Sequence, residues 1–205
     1  MSATSNQKTL APVWILVLAT GAGAIRLLAN VFSAFNAAPV AATATFTGAR
    51  LRIWQAMLAV MGIMVATDLA LWTMHAFDTR YTPWDALRLW VYPCLLVNVI
   101  LGACLVRSPN YWRFPQIGVA SLLGSVQFFL VTNFACWLDP RFGYATDWPG
   151  LLDCYIRALP FWRSTLASDV LFTFGLFGCE ALAVYLAQRR LAAVEPSEVP
   201  TGVQG

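Results

Sequence analysis

Apolar residues fall in long runs along this chain. Runs from about Leu10 to Leu28, Ile53 to His75, Leu87 to Val106, Gln116 to Leu138 and Thr165 to Gln188 each supply the roughly 20 residues with which a helix crosses a bilayer. A further run, Ala37 to Ala49, has only 13 residues, mostly small or hydroxyl-bearing, between Asn36 and Arg50. It reads as a short, tilted or partly buried span. The pattern predicts an all-α integral membrane fold, a bundle of about six transmembrane helices with the second short or irregular. Residues 1–9 form the N-terminus, 10–190 the membrane domain with a long outer loop at 139–164, and 191–205 a tail. From Glu195 the tail reads E-P-S-E-V-P-T-G-V-Q-G, too poor in apolar residues to bury a core, and is expected to be disordered.

Composition agrees with that class: 59% of residues are hydrophobic, 11% are charged, and Lys8 is the single lysine. Six spans with a cytoplasmic N-terminus leave Lys8, Arg50, Arg52, Arg107, Arg113, Arg189 and Arg190 inside, with acids only in the far tail. The outer loops carry a mixed set, including Asp78, Arg80, Asp139, Arg141, Asp147 and Asp153. Cationic cytoplasmic loops set orientation, so both termini are expected on the cytoplasmic side of the membrane. The net charge of +3 is explained by inner arginines facing anionic lipid, and nucleic acid is no expected partner. Lys8, an apolar core and Ala22-Gly23-Ala24 imitate a cleavable signal. Arg26 and Asn30 continue the pattern, however, and loss of this span would invert the charge bias of every later loop. In the same run Ala19-x-x-x-Gly23 sets small side chains one helical turn apart, which favours close approach of another helix.

Several chemistries are excluded. A phosphate-binding loop ends in Gly-Lys-Ser/Thr, and the sole lysine precedes the first span, so the chain cannot drive transport by its own ATP hydrolysis. A retinal Schiff base needs an intramembrane lysine. Imidazole metal sites need more than the one histidine, His75, which fits an interfacial polar tip. Cys94, Cys104, Cys136, Cys154 and Cys179 show no C-x-x-C spacing, and only Cys136 and Cys154 fall near the oxidising face. No metal, no cofactor and no enzymatic nucleophile–base pair is expected.

Polar groups inside the spans carry the functional expectation, because ionisable residues at hydrocarbon depth must be paired, hydrated or used. Arg26, Asn36, Asp68, Asn133 and Asp169 are expected in the outer half of the bundle, where Arg26, Asp68 and Asp169 would neutralise one another. With Trp137, Arg163 and Thr165 they form a candidate ligand site, roofed by the loop from Asp139 to Ser164. Gly150 to Arg163 has apolar residues at helical spacing and fits a short interfacial helix; Pro160 then predicts a turn, and Ser164 or Thr165 a cap for the sixth span. Glu180 has no evident partner, with Asn98 or a neighbouring subunit as candidates. The bland alternative is an internal charge network that only fixes helix register.

Four stretches carry a resemblance: Asn36-x-x-Pro39-Val-x-Ala42-x-Ala44-x-Phe46-x-Gly48-Ala49, Thr67-Asp68-Leu69, Ser125-x-x-Phe128-Phe-Leu-Val-Thr-Asn133-Phe-x-x-Trp137, and Gly150-Leu-Leu-x-Cys154-Tyr-x-x-Ala158-Leu-Pro160-Phe-x-Arg163-x-Thr165-Leu-x-x-Asp169. Together they resemble a bacterial family of small integral membrane proteins catalogued as domain of unknown function 6580. Ala145 stands where that family suggests a proline, and Ser164 and Ser168 where it tends to have Asn and Gly. More distantly, the layout is similar to the substrate-binding S components of energy-coupling-factor transporters. That similarity implies a binder of a small organic, vitamin-like solute taken from the outer face. It also implies a separate transmembrane coupling protein with ATPases as partners, docking on the inner arginines and the Ala19/Gly23 face. The opposing expectation is a structural or accessory subunit of a larger membrane complex.

Overall fold

A computed structural model describes residues 17, 20–28, 39–74, 86–106 and 114–194. Ala19, Asn30, Asn36 and His75 lie outside the described residues, as do residues 1–9 and the tail from 195. The described secondary structure is helical throughout: α1 (20–28), α2 (Val40–Arg50), α3 (Ile53–Met74), α4 (Ala86–Leu105), α5 (Phe114–Leu138), a 3-10 turn at Pro140–Phe142, and α6 (Trp148–Val194). Among these, α3, α4, α5 and α6 are long and apolar enough to cross a membrane, so four such helices stand where about six were expected. For α2 the shortfall is one of length, since its 11 residues rise about 16 Å, roughly half a hydrocarbon layer. Of the first run, residues 10–16, 18 and 19 lie outside the described residues.

The short helix is the centre of the bundle. Nine of the 11 residues of α2 are buried, between α4 on one side and α3, α5 and α6 on the others. A threonine-rich helix tolerates this because its hydroxyls bond back to its own carbonyls: Thr43 to Pro39 O at 2.8 Å, Thr45 to Ala41 O at 3.2 Å and Thr47 to Thr43 O at 2.8 Å. Small residues let α2 and α4 touch through their backbones. A methyl group on Gly48 would overlap Val99 O, and one on Gly102 would overlap Thr45 O. Apolar side chains close the two sides of α2. Phe46, Ala49, Val106, Ile117, Ala120 and Phe177 form one cluster; Val40, Ala44, Val60, Met64, Leu95 and Val99 belong to the other.

α5 and α6 form an antiparallel hairpin, and here the expected layout is corrected. The segment 139–164 is not a long loop: only residues 139–147 lie outside α-helix, and α6 then runs unbroken for 47 residues through Pro160. Asp147 Oδ1 accepts from Gly150 N at 2.8 Å, which caps the helix 17 residues before the expected cap at Ser164. Pro149 occupies the first turn, where the missing N–H costs nothing. Neither the turn at Pro160 nor a cap at Thr165 forms, since Thr165 Oγ1 donates to Phe161 O at 3.2 Å within the helix. Contacts with α5 hold the helix on both sides of the proline: Tyr155 Oη donates to Leu130 O at 2.8 Å, and the Trp162 ring lies 5.1 Å from that of Phe129. At 1.5 Å per residue α6 is about 70 Å long, more than twice a hydrocarbon layer.

Candidate ligand site in the core of the bundle

The structure divides the expected polar site into three places. At one end of the bundle, Asp68 of α3 collects Arg26 Nη2 at 2.7 Å, Arg88 Nη1 at 3.1 Å and the Tyr92 hydroxyl at 2.8 Å. Arg26 also donates to Thr67 Oγ1. Asp68 is 3% exposed, yet both of its oxygens are occupied and two guanidinium groups oppose its charge. The Arg26–Asp68 pairing is thus present, and Arg88 and Tyr92 of α4 complete it. Gly23, proposed for helix contact, faces Thr67 and Ile63 of α3.

Asp169 lies elsewhere. It sits beside Ser125, the middle of α5, with Thr173 donating to Ser121 at 3.4 Å one turn further on. The depth follows from the early start of α6, which places Asp169 at mid-bundle rather than one turn into the last span. Together with Ala41, Ala42 and Thr45 of α2 and Asn98 of α4, these residues line a narrow chamber in which no position accepts a whole water molecule. On α4, Tyr92 of the Asp68 cluster and Asn98 of the chamber are six residues, about 9 Å of axial rise, apart. Asp169 is 5% exposed and no ion pair reaches it among the described residues. Asn98, 1% exposed, has no partner for Nδ2 or Oδ1, and Ser125 Oγ has none of hydrogen-bonding geometry. Native interiors rarely leave such groups unmatched.

The remaining expected residues stay on the α5–α6 hairpin. Asn133 Nδ2 donates to Phe129 O at 2.8 Å within its own helix, and Trp137 Nε1 to Ala145 O at 2.8 Å, tying down the 139–147 connection. Arg163 is exposed on α6. Asn133, Arg163 and Thr165 are not in the lining of the chamber that holds Asp169. Cys136 and Cys154 are free thiols, and Cys154 Sγ donates to Asn133 O at 3.4 Å. An open groove of about 390 Å³ lies between Leu87, Trp90, Ala135, Leu138 and Asp139–Arg141. Its charged groups satisfy each other: the Arg141 guanidinium holds the Asp139 carboxyl below the usual carboxylate range.

Glu180, left without a partner by the sequence, is held by Arg50 at the end of α2. Nε and Nη2 reach Oε1 and Oε2 at 2.6 Å each, and the guanidinium lies 5.1 Å above the Phe177 ring. Residues that sequence reasoning left out of the site are Asn98, Ser121, Ser125, Thr173 and Thr45. One signal was available for three of them together with Asp169: Ser121/Ser125 and Asp169/Thr173 are i,i+4 pairs, each on one face of its helix.

No curated protein and no solved structure matches this chain. A family model does, over residues 4–194, which include every helix described above. The chain belongs to the family of unknown function DUF6580.

Proposed function

We propose that this chain is a multi-pass protein of a bacterial cytoplasmic membrane that binds a small solute inside its helix bundle, at the Asp169 chamber. One observation carries the reading. Among the described residues Asp68 and Glu180 are paired with arginines, whereas Asp169 has no ion pair and shares its chamber with an Asn98 amide that has no partner. A fold has no use for such an arrangement, and a binding site does.

Six spans with cytoplasmic termini fit the charges at the two ends. Arg50, Arg52, Arg189 and Arg190 belong to one end, and the other carries a mixed set, Asp139, Arg141, Asp147, Asp153 and Arg157. The chamber has no room for a whole water molecule, far from the roughly 300 to 1,000 Å³ of drug-sized ligand sites, so a vitamin-like molecule requires α2 or α6 to move aside. In the S-component-like form of this proposal, release is driven by a separate coupling protein and its ATPases.

The accessory-subunit reading has its own support in the Asp68 and Arg50–Glu180 networks, which staple helices and leave nothing over for a ligand. Asp169→Asn separates the two readings. In solute-free choline chloride buffer, a site carboxyl kept at the expense of stability gives a variant that melts no lower than the parent. Elemental and molecular mass spectrometry of the purified parent is expected to find a stoichiometric ion or small molecule that the variant lacks. A markedly lower Tm, with nothing retained by either protein, establishes the structural role instead.

A further inference from the structure

Resting on the reading of the chamber as a binding site, we infer that its ligand is a sodium ion, coordinated by Asp169 together with oxygens of Asn98, Ser121, Ser125, Thr173 and Thr45. Charge is the first argument. Among the described residues a single carboxylate faces the chamber and no ion pair opposes it, so one positive charge neutralises it, whereas a divalent ion would leave a net charge in an apolar interior.

The donor set is the second. Every polar lining side chain offers oxygen, none offers imidazole or thiolate, and such sets hold hard cations. The unpartnered groups supply the independent sign of a ligand. Asn98, 1% exposed, presents an amide with both atoms unmatched into the lining, and Ser125 Oγ is likewise without a bond of good geometry. The 3.4 Å Thr173–Ser121 contact is long for two hydroxyls, which leaves their lone pairs available. A proton on Asp169 would neutralise the acid but could serve at most one of these acceptors.

Size is the third argument. The chamber has no room for a whole water molecule, which disfavours an ion as large as water, such as potassium, relative to the smaller sodium and lithium ions. Gly124 sets this dimension. A methyl group there would overlap Asn98 Oδ1, so the glycine is what lets the amide reach the chamber. An ion held at this point joins α2, α4, α5 and α6, and its departure loosens the same four helices that would have to part for a larger solute.

The test is thermal unfolding of the detergent-solubilised protein in NaCl, LiCl, KCl and choline chloride at constant ionic strength. Sodium and lithium are expected to raise Tm saturably and potassium to match choline. Asp169→Asn abolishes the shift. Ser125→Ala, a conservative change, raises the half-saturating sodium concentration by about tenfold, as expected for one lost charge-assisted contact. Gly124→Ala weakens sodium binding by displacing Asn98. Equal Tm values in NaCl and KCl, a sodium shift that survives in Asp169→Asn, or a response to acid alone overturns the inference. The two readings fail separately. Absence of a sodium shift with Asp169→Asn still as stable as the parent in choline chloride removes only the ion. A strongly destabilised Asp169→Asn in that buffer removes the binding site as well.

Discussion

Asp68 and Asp169 are buried to nearly the same extent, 3% and 5% exposed, and their surroundings could hardly differ more. Asp68 is met by Arg26, Arg88 and Tyr92 from α1 and α4. The two arginines keep part of their side chains exposed, so the cluster sits where charge can still reach solvent. Asp169 sits deeper, among hydroxyls and an amide, with no ion pair reaching it among the described residues. Burial alone therefore says little about what a carboxylate is for. Whether its charge and hydrogen bonds are accounted for by the chain separates a group that holds the fold from one that waits for something else.

The largest expected effects test that separation directly. Asp68→Ala strands Arg26 and Arg88 and is expected to lower stability by about 3 kcal/mol, the low end for a broken buried pair because both arginines are partly hydrated. Asp169→Asn, at the same degree of burial, is expected to leave stability unchanged or raise it when both proteins are held in sodium-free choline chloride. Chemical unfolding of both variants in mild detergent checks the contrast, which collapses if the two variants lose comparable stability. Arg50→Ala extends the test to the other end of the bundle. It leaves Glu180 without its bidentate partner, at a similar cost of about 3 kcal/mol, and the double replacement Arg50→Met with Glu180→Leu recovers most of it. If the double variant is no more stable than Arg50→Ala, the pair does more than cancel charge.

A smaller effect is expected where no charge is involved. Gly48→Ala pushes a methyl group into Val99 O, so α2 and α4 must separate, at a cost of about 1–3 kcal/mol. Because α2 forms a wall of the chamber through Ala41, Ala42 and Thr45, the same change is expected to weaken sodium stabilisation. Gly118→Ala is the control, since a methyl group there meets only ordinary contact with Phe174. Equal behaviour of the two alanine variants in unfolding experiments would show that backbone contact does not set the chamber.

Much of the fold was legible because long apolar runs leave few alternatives, and the runs at Ile53, Leu87 and Gln116 match α3, α4 and α5 within two residues at most ends. Less of the hairpin was legible. Pro160 read as a break, but a proline removes one N–H, and packing of Tyr155 and Trp162 on α5 outweighs that loss. The true start was written in Asp147 and Pro149, a cap followed by a first-turn proline, inside a stretch that looked too polar for a span. That misplaced start moved Asp169 on paper from mid-bundle to the end of the bundle, and so into company with Asp68. Arg26–Asp68 followed from charge arithmetic. Arg50–Glu180 did not, because 130 residues separate the partners and nothing local announces their contact. The chamber was hidden for a related reason: its residues come from four helices, and single serines and threonines in apolar helices usually bond to their own backbone, as Thr43 and Thr47 do.

The smallest expected effect uses Asp139 and Arg141 as the solvent-exposed counterpart of the Asp68 cluster. The chemistry is the same, a carboxylate held by a guanidinium, with Arg141 Nε 2.9 Å from both carboxyl oxygens. In water such a pair is screened and contributes little. The Arg141 hydrogen bonds hold the Asp139 carboxyl below its usual range. A depressed folded-state value means that the stabilisation is complete above the unfolded carboxylate value of about 3.9 and is lost as pH falls through the folded one. Asp139→Asn is therefore expected to lower Tm slightly near neutral pH, by far less than Asp68→Ala, and the difference from the parent is expected to vanish in acid. High salt should shrink it as well, because the Debye length falls to about 3 Å at 1 M. Thermal unfolding of parent and variant from neutral pH to below the carboxylate range checks this. A difference that persists undiminished in acid would mean that Asp139 acts through its cap on the Pro140–Phe142 turn rather than through its charge.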